Sequence, residues 1–267
     1  MFKIIGSGSF GTALRHVIKN SGFVISDIDY EFVIPAVPSY AVPDVLDEKE
    51  KTIIFVSKGF LENGKLIGEW ADKIGLKWAV FAGPHFASEL VQNLETCSVL
   101  GADSEIPEVM KWKNMNVKFS HHKIEIQLLG ALKNIYACFF GIIDGLKLGK
   151  NFSASMFSLV IEEINEIFNK LNLESNMIYN QACIGDLILT CTSSQSRNYN
   201  EGFNRVMNIK NHQLSEAKHS AIAFIKRFPD QKYICSFVGE VMHNDLKGSD
   251  VKSLFDKFYK DYKELKN

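Results

Sequence analysis

The chain has 267 residues, enough for a large apolar core and for two domains. With 46% apolar and 23% charged residues and a net charge of −1, it lacks the basic balance that nucleic acid or an anionic membrane asks for. Its five cysteines (97, 138, 183, 191 and 235) form no CxxC pair and no zinc spacing, so they read as reduced, mostly buried thiols of a cytoplasmic protein. No basic-then-apolar leader opens the sequence, no stretch approaches the roughly 18 apolar residues that span a bilayer, and no internal repeat or low-complexity segment is present.

Residues 2–5 are a short apolar run ending in glycine, which suits a buried first strand. Residues 12–20 then place Ala13, Leu14, Val17 and Ile18 on one helical face. The runs 23–26, 30–37, 52–56, 78–82 and 96–100 are β-branched or aromatic and read as further strands. Short apolar strands separated by helical or loop segments predict an α/β layer with a largely parallel sheet. Beyond residue 120 the period changes: 124–140, 155–171, 215–228 and 249–265 are helical by pattern. The expected architecture is a truncated Rossmann-like domain over 1–120 followed by an all-α domain over 121–267.

Between the first strand and the first helix, Gly6-Ser7-Gly8-Ser9-Phe10-Gly11 fits G-x-G-x-x-G. The first glycine permits a tight turn, the second lets backbone approach a pyrophosphate, and the third lets the helix pack on the strand. The free N–H groups and positive dipole end of that helix then face the phosphates. The acidic residue that holds the adenosine ribose is expected about 20 residues on, and Asp27 fits that count. Yet run 30–37 begins almost at once, with no room for the crossover of a dozen or more residues that two neighbouring parallel strands need. Either 23–26 is not a sheet strand or part of the usual unit is missing; Asp27, Asp29 and Glu31 otherwise read as a solvated acidic turn.

Three further features carry chemistry. Lys58 follows an apolar strand, where a side chain either points into the crevice beyond the carboxyl ends or lies on the surface. Lys133 sits on a nearly continuous apolar helix, either snorkelling to water or buried with a partner; burial lowers an ammonium's pKa toward neutrality, where it serves as an acid or base. Residues 184–198, IGDLILTCTSSQSRN, bring a carboxylate, hydroxyls, an arginine and an amide together. Asp186 and Thr190 share a helical face, so Asp186 either orients a lysine or caps a helix after Gly185. The chain has only four arginines (15, 197, 205 and 227), so Arg197 inside a polar cluster suggests a planar fork for a phosphate; a polar turn is the other reading of Arg197-Asn198. His121-His122, with no carboxylate at ligand spacing, reads as surface and not as a metal site; His85 after Gly83-Pro84 is open.

In this order, Gly6 to Leu14, Ala36-Val37-Pro38-Ser39, Val56-Ser57-Lys58-Gly59, Gly83-Pro84-His85-Phe86-Ala87, Gly130-Ala131-Leu132-Lys133-Asn134, Asp144-Gly145-Leu146 and 185–198 resemble the NAD(P)-dependent glycerol-3-phosphate dehydrogenases of bacterial type. The resemblance covers most of the chain and weakens after about residue 200. It implies hydride transfer between NADH or NADPH and dihydroxyacetone phosphate, giving sn-glycerol 3-phosphate for phospholipid synthesis. It implies Lys133 as the proton donor and acceptor at the substrate oxygen. Lys58, Gly83, His85, Asp186, Ser196, Arg197 and Asn198 would hold the triose phosphate. Gly6, Gly8, Ser9, Phe10, Gly11, Ala87 and Glu216 would line the cofactor site, with Lys58 and Arg197 reaching the cofactor as well. A homodimer is implied too, with no metal, nucleic acid or membrane insertion.

The departures fall in particular places. Relatives are longer, mostly between residues 20 and 30. His85 stands where they carry a small hydroxyl residue, Leu129, Asn180 and Cys183 replace glycines, and Leu159 replaces an arginine. A larger side chain where backbone packed closely predicts a local shift. The second reading is a reduced, non-catalytic relative that binds a phosphometabolite or a partner protein. A third is a related hydroxyacid or sugar-phosphate dehydrogenase.

Overall fold

A six-stranded sheet organises the first half of the chain, in the order β1 (Phe2–Ile5), β2 (Phe32–Pro35), β3 (Thr52–Phe55), β4 (Lys77–Ala82), β5 (Ser98–Gly101) and β6 (Val117–Ser120). All neighbours are parallel except β4 and β5, which run antiparallel. The last strand lies outside the six expected runs because its apolar content is thin. Helices connect these strands: α1 (Ser9–Asn20), α2 (Val42–Val45), α3 (Ile67–Lys73), α4 (Ala87–Leu90) and α5 (Pro107–Met110). Beyond β6 the elements are helical: α6 (Lys123–Gly145), α7 (Lys150–Lys170), a π-helical turn over Gln181–Gly185, α8 (Asp186–Thr192), α9 (Arg197–Val206), α10 (Glu216–Arg227), α11 (Ile234–His243) and α12 (Ser249–Lys266). The computed structural model describes residues 1–210, 215–231 and 233–266. They form two units: residues 1–59, 66–130 and 176–186, and residues 60–65, 131–175 and 187–267.

The open question about 23–26 resolves into a remnant. The segment makes one parallel bridge, Phe2 with Ile25, through Phe2 N–H to Val24 O at 3.0 Å and Ser26 N–H to Phe2 O at 2.9 Å. Peptide groups of successive strand residues point to opposite sides. Phe2 therefore faces the remnant, while Met1 O and Ile5 O face the other way and accept from Phe32 N–H and Ala36 N–H. The chain leaves β1 on one side and returns to β2 on the other, so the reversal of strand order that marks ligand crevices in such sheets survives at β1. The next outward carbonyl of β1, Ile4 O, accepts instead from the Arg15 guanidinium at 2.6 Å. Asp27, Asp29 and Glu31 lie exposed, and the Ser26 hydroxyl accepts from the amides of Ile28 and Asp29, as a solvated turn requires.

The apolar periodicity of α1 buries Ala13, Leu14, Val17 and Ile18 against Phe2, Ile4, Phe32 and Ile34. Burial of such side chains contributes roughly 1.5–3 kcal/mol each. In the second unit α6 and α9 cross through glycines: a Cβ on Gly202 would stand 1.9 Å from Cys138 O, and one on Gly141 2.0 Å from Tyr199 O. Tyr199 Oη donates to Asp144 Oδ2 at 2.6 Å across that crossing. Two sequence expectations need correction. By length and composition α6 is apolar enough to cross a bilayer, but 94% of that window is buried inside the structure, so core packing accounts for its hydropathy. His122 does have a carboxylate at helical spacing: its Nδ1 lies 3.3 Å from Glu125 Oε1.

Candidate active site

The glycine loop has the shape that its three glycines predict. Gly6 adopts φ +108°, and a Cβ there would lie 2.5 Å from Ala36 O. A Cβ on Gly11 would meet Gly6 O at 2.8 Å and Ala36 Cβ at 3.2 Å, which is the close helix–strand packing of the third position. Gly8 is different: nothing lies within 4 Å of its missing Cβ. It is the N-cap of α1, no side chain caps it, and Thr12 N–H reaches Gly8 O at 2.9 Å. Open space over Gly8, beside the uncapped amides that begin a twelve-residue helix, fits a pyrophosphate. Ser9 and Phe10 are the first two residues of that helix, and Ala87 begins α4.

Lys58 points inward from the end of β3. Ser57 fixes this end by donating its hydroxyl to Val37 O at 2.6 Å. The Lys58 ammonium donates to Gly83 O at 2.8 Å and to Asp186 Oδ2 at 2.5 Å. Its stem runs past Gly130, where a Cβ would sit 3.3 Å from Lys58 Cγ. Asp186 is 1% exposed, so a paired cation is what keeps a charged carboxylate tolerable there. Of the two roles open to Asp186, the structure realises the lysine partner and not the helix cap. The π-helical turn over Gln181–Gly185 leads directly into Asp186 as the first residue of α8. This turn carries Cys183, one of the departures, and follows Asn180, another, which caps it by accepting from Cys183 N–H at 3.1 Å. Gly83 is equally constrained, since a Cβ there would stand 2.7 Å from Cys97 O. His85 lies parallel to Phe81, and its Nε2 is 2.8 Å from Ser98 Oγ.

The second unit carries the other lysine. Lys133 is half-buried on α6 and donates to Thr190 Oγ1 at 3.0 Å; Thr190 itself is buried. Asn134, the next residue, is buried and accepts from Asn198 Nδ2 at 2.7 Å. Asn198 Oδ1 in turn accepts from Ser215 Oγ and Ala217 N–H, both at 3.0 Å, which ties the start of α9 to the start of α10 and to its first residue Glu216. Ser196 caps α9 by accepting from Tyr199 N–H. Arg15 binds Ile4 O, Arg205 pairs with Glu201 and Asp245, and Arg227 binds Gly64 O. Arg197 is exposed in the first turn of α9 and makes no ion pair among the described residues. The contacts of Asn134 and Ser215 went unassigned at the sequence level. The available signal was an amide on an apolar helix, which needs a partner once buried.

Residues 123–227 match the family model for the C-terminus of NAD-dependent glycerol-3-phosphate dehydrogenase. A glycerol-3-phosphate dehydrogenase [NAD(P)+] from a Wolbachia strain of Drosophila simulans is 32% identical over 195 residues, covering 66% of this chain and 60% of the relative. One from Actinobacillus pleuropneumoniae serotype 3 is 35% identical over 182 residues, 62% and 54% of the two chains. One from Ehrlichia canis is 28% identical over 256 residues, 74% and 79%. The chain thus spans between about half and three fifths of the length of the first two. The crystal structure of a glycerol-3-phosphate dehydrogenase from Coxiella burnetii superposes with a TM-score of 0.85 at 23% identity, over 95% of this chain and 98% of that one. This likeness carries the fold: a mostly parallel Rossmann-type sheet followed by helices. In sequence and in fold, the chain is similar to the bacterial-type NAD(P)-dependent glycerol-3-phosphate dehydrogenases.

Proposed function

We propose that the chain is an NAD(P)-dependent glycerol-3-phosphate dehydrogenase that interconverts dihydroxyacetone phosphate and sn-glycerol 3-phosphate, supplying the latter for phospholipid synthesis. The observation that carries this reading is Lys133, held by the buried Thr190 hydroxyl at 3.0 Å within the stretch that matches the family. Bound NADH or NADPH supplies a hydride to the substrate's carbonyl carbon. The carbonyl oxygen then needs a proton, and the Lys133 ammonium gives it; in the reverse direction the neutral amine takes it back. Thr190 accepts one of the ammonium's N–H bonds and so fixes where the others point.

In the first unit the uncapped start of α1 and the open face of Gly8 receive the pyrophosphate, with Ser9, Phe10 and Ala87 beside it. Lys58, clamped by Asp186 and Gly83, places a fixed cation toward the substrate and cofactor. In the second unit Ser196, Arg197 and Asn198 take the phosphate at the start of α9, where a bidentate fork and helix amides both favour an anion. Glu216 lines the cofactor side. The same reading carries a homodimer in the cytoplasm. The comparisons do not favour the non-catalytic alternative.

The test is oxidation of NADH and NADPH with dihydroxyacetone phosphate, for wild type and Lys133→Met. Methionine keeps the stem and removes the proton, and the expected loss in kcat is roughly 10²–10⁴-fold. Equal rates in the two proteins would end the assignment of Lys133.

A further inference from the structure

The loop over residues 6–11 contains three glycines, two serines and one large side chain, Phe10. Glycines have no side chains to hold a loop in place, and a loop that must be ordered on binding weakens its ligand by that entropy. Gly6 and Gly11 pack on Ala36, and Phe10 is the one large side chain through which the rest of the loop can be held. His85 lies beside it, with ring centroids 6.1 Å apart and planes at 21°. On its other side His85 stacks on Phe81 at 5.3 Å and 10°. Phe81 is buried in β4 and meets Trp112 edge-on at 4.9 Å. A column of rings thus runs from the core of the first unit to the glycine loop. The imidazole Nε2 is pegged at 2.8 Å to Oγ of Ser98, a fully buried residue at the start of β5.

The geometry points to His85 as the positioning residue of the glycine loop: it holds Phe10, and through it the first turn of α1, in the conformation that receives the dinucleotide. This inference rests on the cofactor reading above and gives His85 a role through Phe10 rather than on the triose phosphate. The choice of imidazole follows from its two bonding modes. Its faces stack like those of phenylalanine, while the hydrogen bond to Ser98 stops the ring from turning.

Two variants separate these modes: His85→Ala removes the ring, and His85→Phe keeps the ring without the peg. Hydrogen exchange is read in the ligand-free chain at the first hydrogen-bonded amide of α1, Thr12, and at Ile53 and Ile54 in β3 as reference. Calorimetry then gives the affinities for NADH and NADPH. His85→Ala is expected to exchange about tenfold faster at Thr12 with the reference amides unchanged, and to bind the preferred dinucleotide about tenfold more weakly, the scale of one lost aromatic contact. His85→Phe is expected to recover most of both. Wild-type exchange at Thr12 in His85→Ala, an equal acceleration in β3, or a phenylalanine variant as impaired as alanine would each overturn the role. If wild type binds neither dinucleotide, the cofactor reading fails, while the exchange rates still decide whether His85 positions the loop.

Discussion

Glu163 offers a measurement of how far burial governs the helical unit. Its carboxylate lies fully buried on α7 and accepts from Tyr136 Oη at 3.0 Å and from the amides of Ile234 and Cys235 at 2.5 and 3.0 Å, where α11 begins. Burial outweighs these donors and pushes the carboxyl from 4.5 up to about 7. That rise corresponds to about 3 kcal/mol between the protonated and ionised forms. The folded chain holds this proton more tightly than the unfolded chain. The group's contribution is therefore whole below pH 4.5 and is lost as pH climbs through 7. Glu163→Gln keeps the shape of the protonated acid and cannot ionise. In urea unfolding between pH 4.5 and 8, the stability difference between wild type and Glu163→Gln is expected to move by about 3 kcal/mol in favour of the variant as pH rises. Other titrating groups are common to both proteins and cancel in the difference. A constant difference, or one that moves toward wild type with pH, would refute the reasoning, because the hydrogen bonds would then hold the carboxylate ionised throughout.

The other predictions concern the glycines. Gly8→Ala adds a methyl into open space, so its melting temperature should match wild type while calorimetric affinity for NADH falls at least about tenfold; tight binding by this variant would remove the pyrophosphate from the loop. Gly11→Ala places a Cβ 2.8 Å from Gly6 O and should lose thermal stability as well as affinity, which calorimetric scanning separates from the Gly8 variant. Gly202→Ala drives a Cβ to 1.9 Å from Cys138 O, forces α6 and α9 apart and should cost roughly 1–3 kcal/mol or more, seen as a drop of several degrees in melting temperature. An unchanged melting temperature there would mean that the crossing is looser than the backbone distances say.

Much of this architecture was legible because it depends on local pattern. The strand–glycine–helix unit at the start, the switch to helical period after residue 120, and the cluster in 184–198 are each set by neighbours in sequence. What was not legible depends on distant partners. Residues 23–26 have strand composition, but only the position of β2 shows that they make a single bridge. Asp186 needed a lysine, and nothing in spacing chose Lys58, which lies 128 residues away. Gly141 and Gly202 look like ordinary helix-weakening glycines until their backbones are seen to touch. Leu159, expected to matter as a replaced arginine, lies half-buried on α7, and nothing in the structure explains the replacement.

The strand that carries the glycine loop is also the rim of its sheet. Among the described residues, the outward peptide groups of β1 are covered by the two bonds of the 24–26 segment and by the Arg15 guanidinium on Ile4 O. A bare strand rim of this kind is a template onto which another molecule's backbone adds, and aggregation follows from it. One guanidinium and a short acidic bend thus guard this rim against self-association, so charge loss at Arg15 is expected to lower solubility.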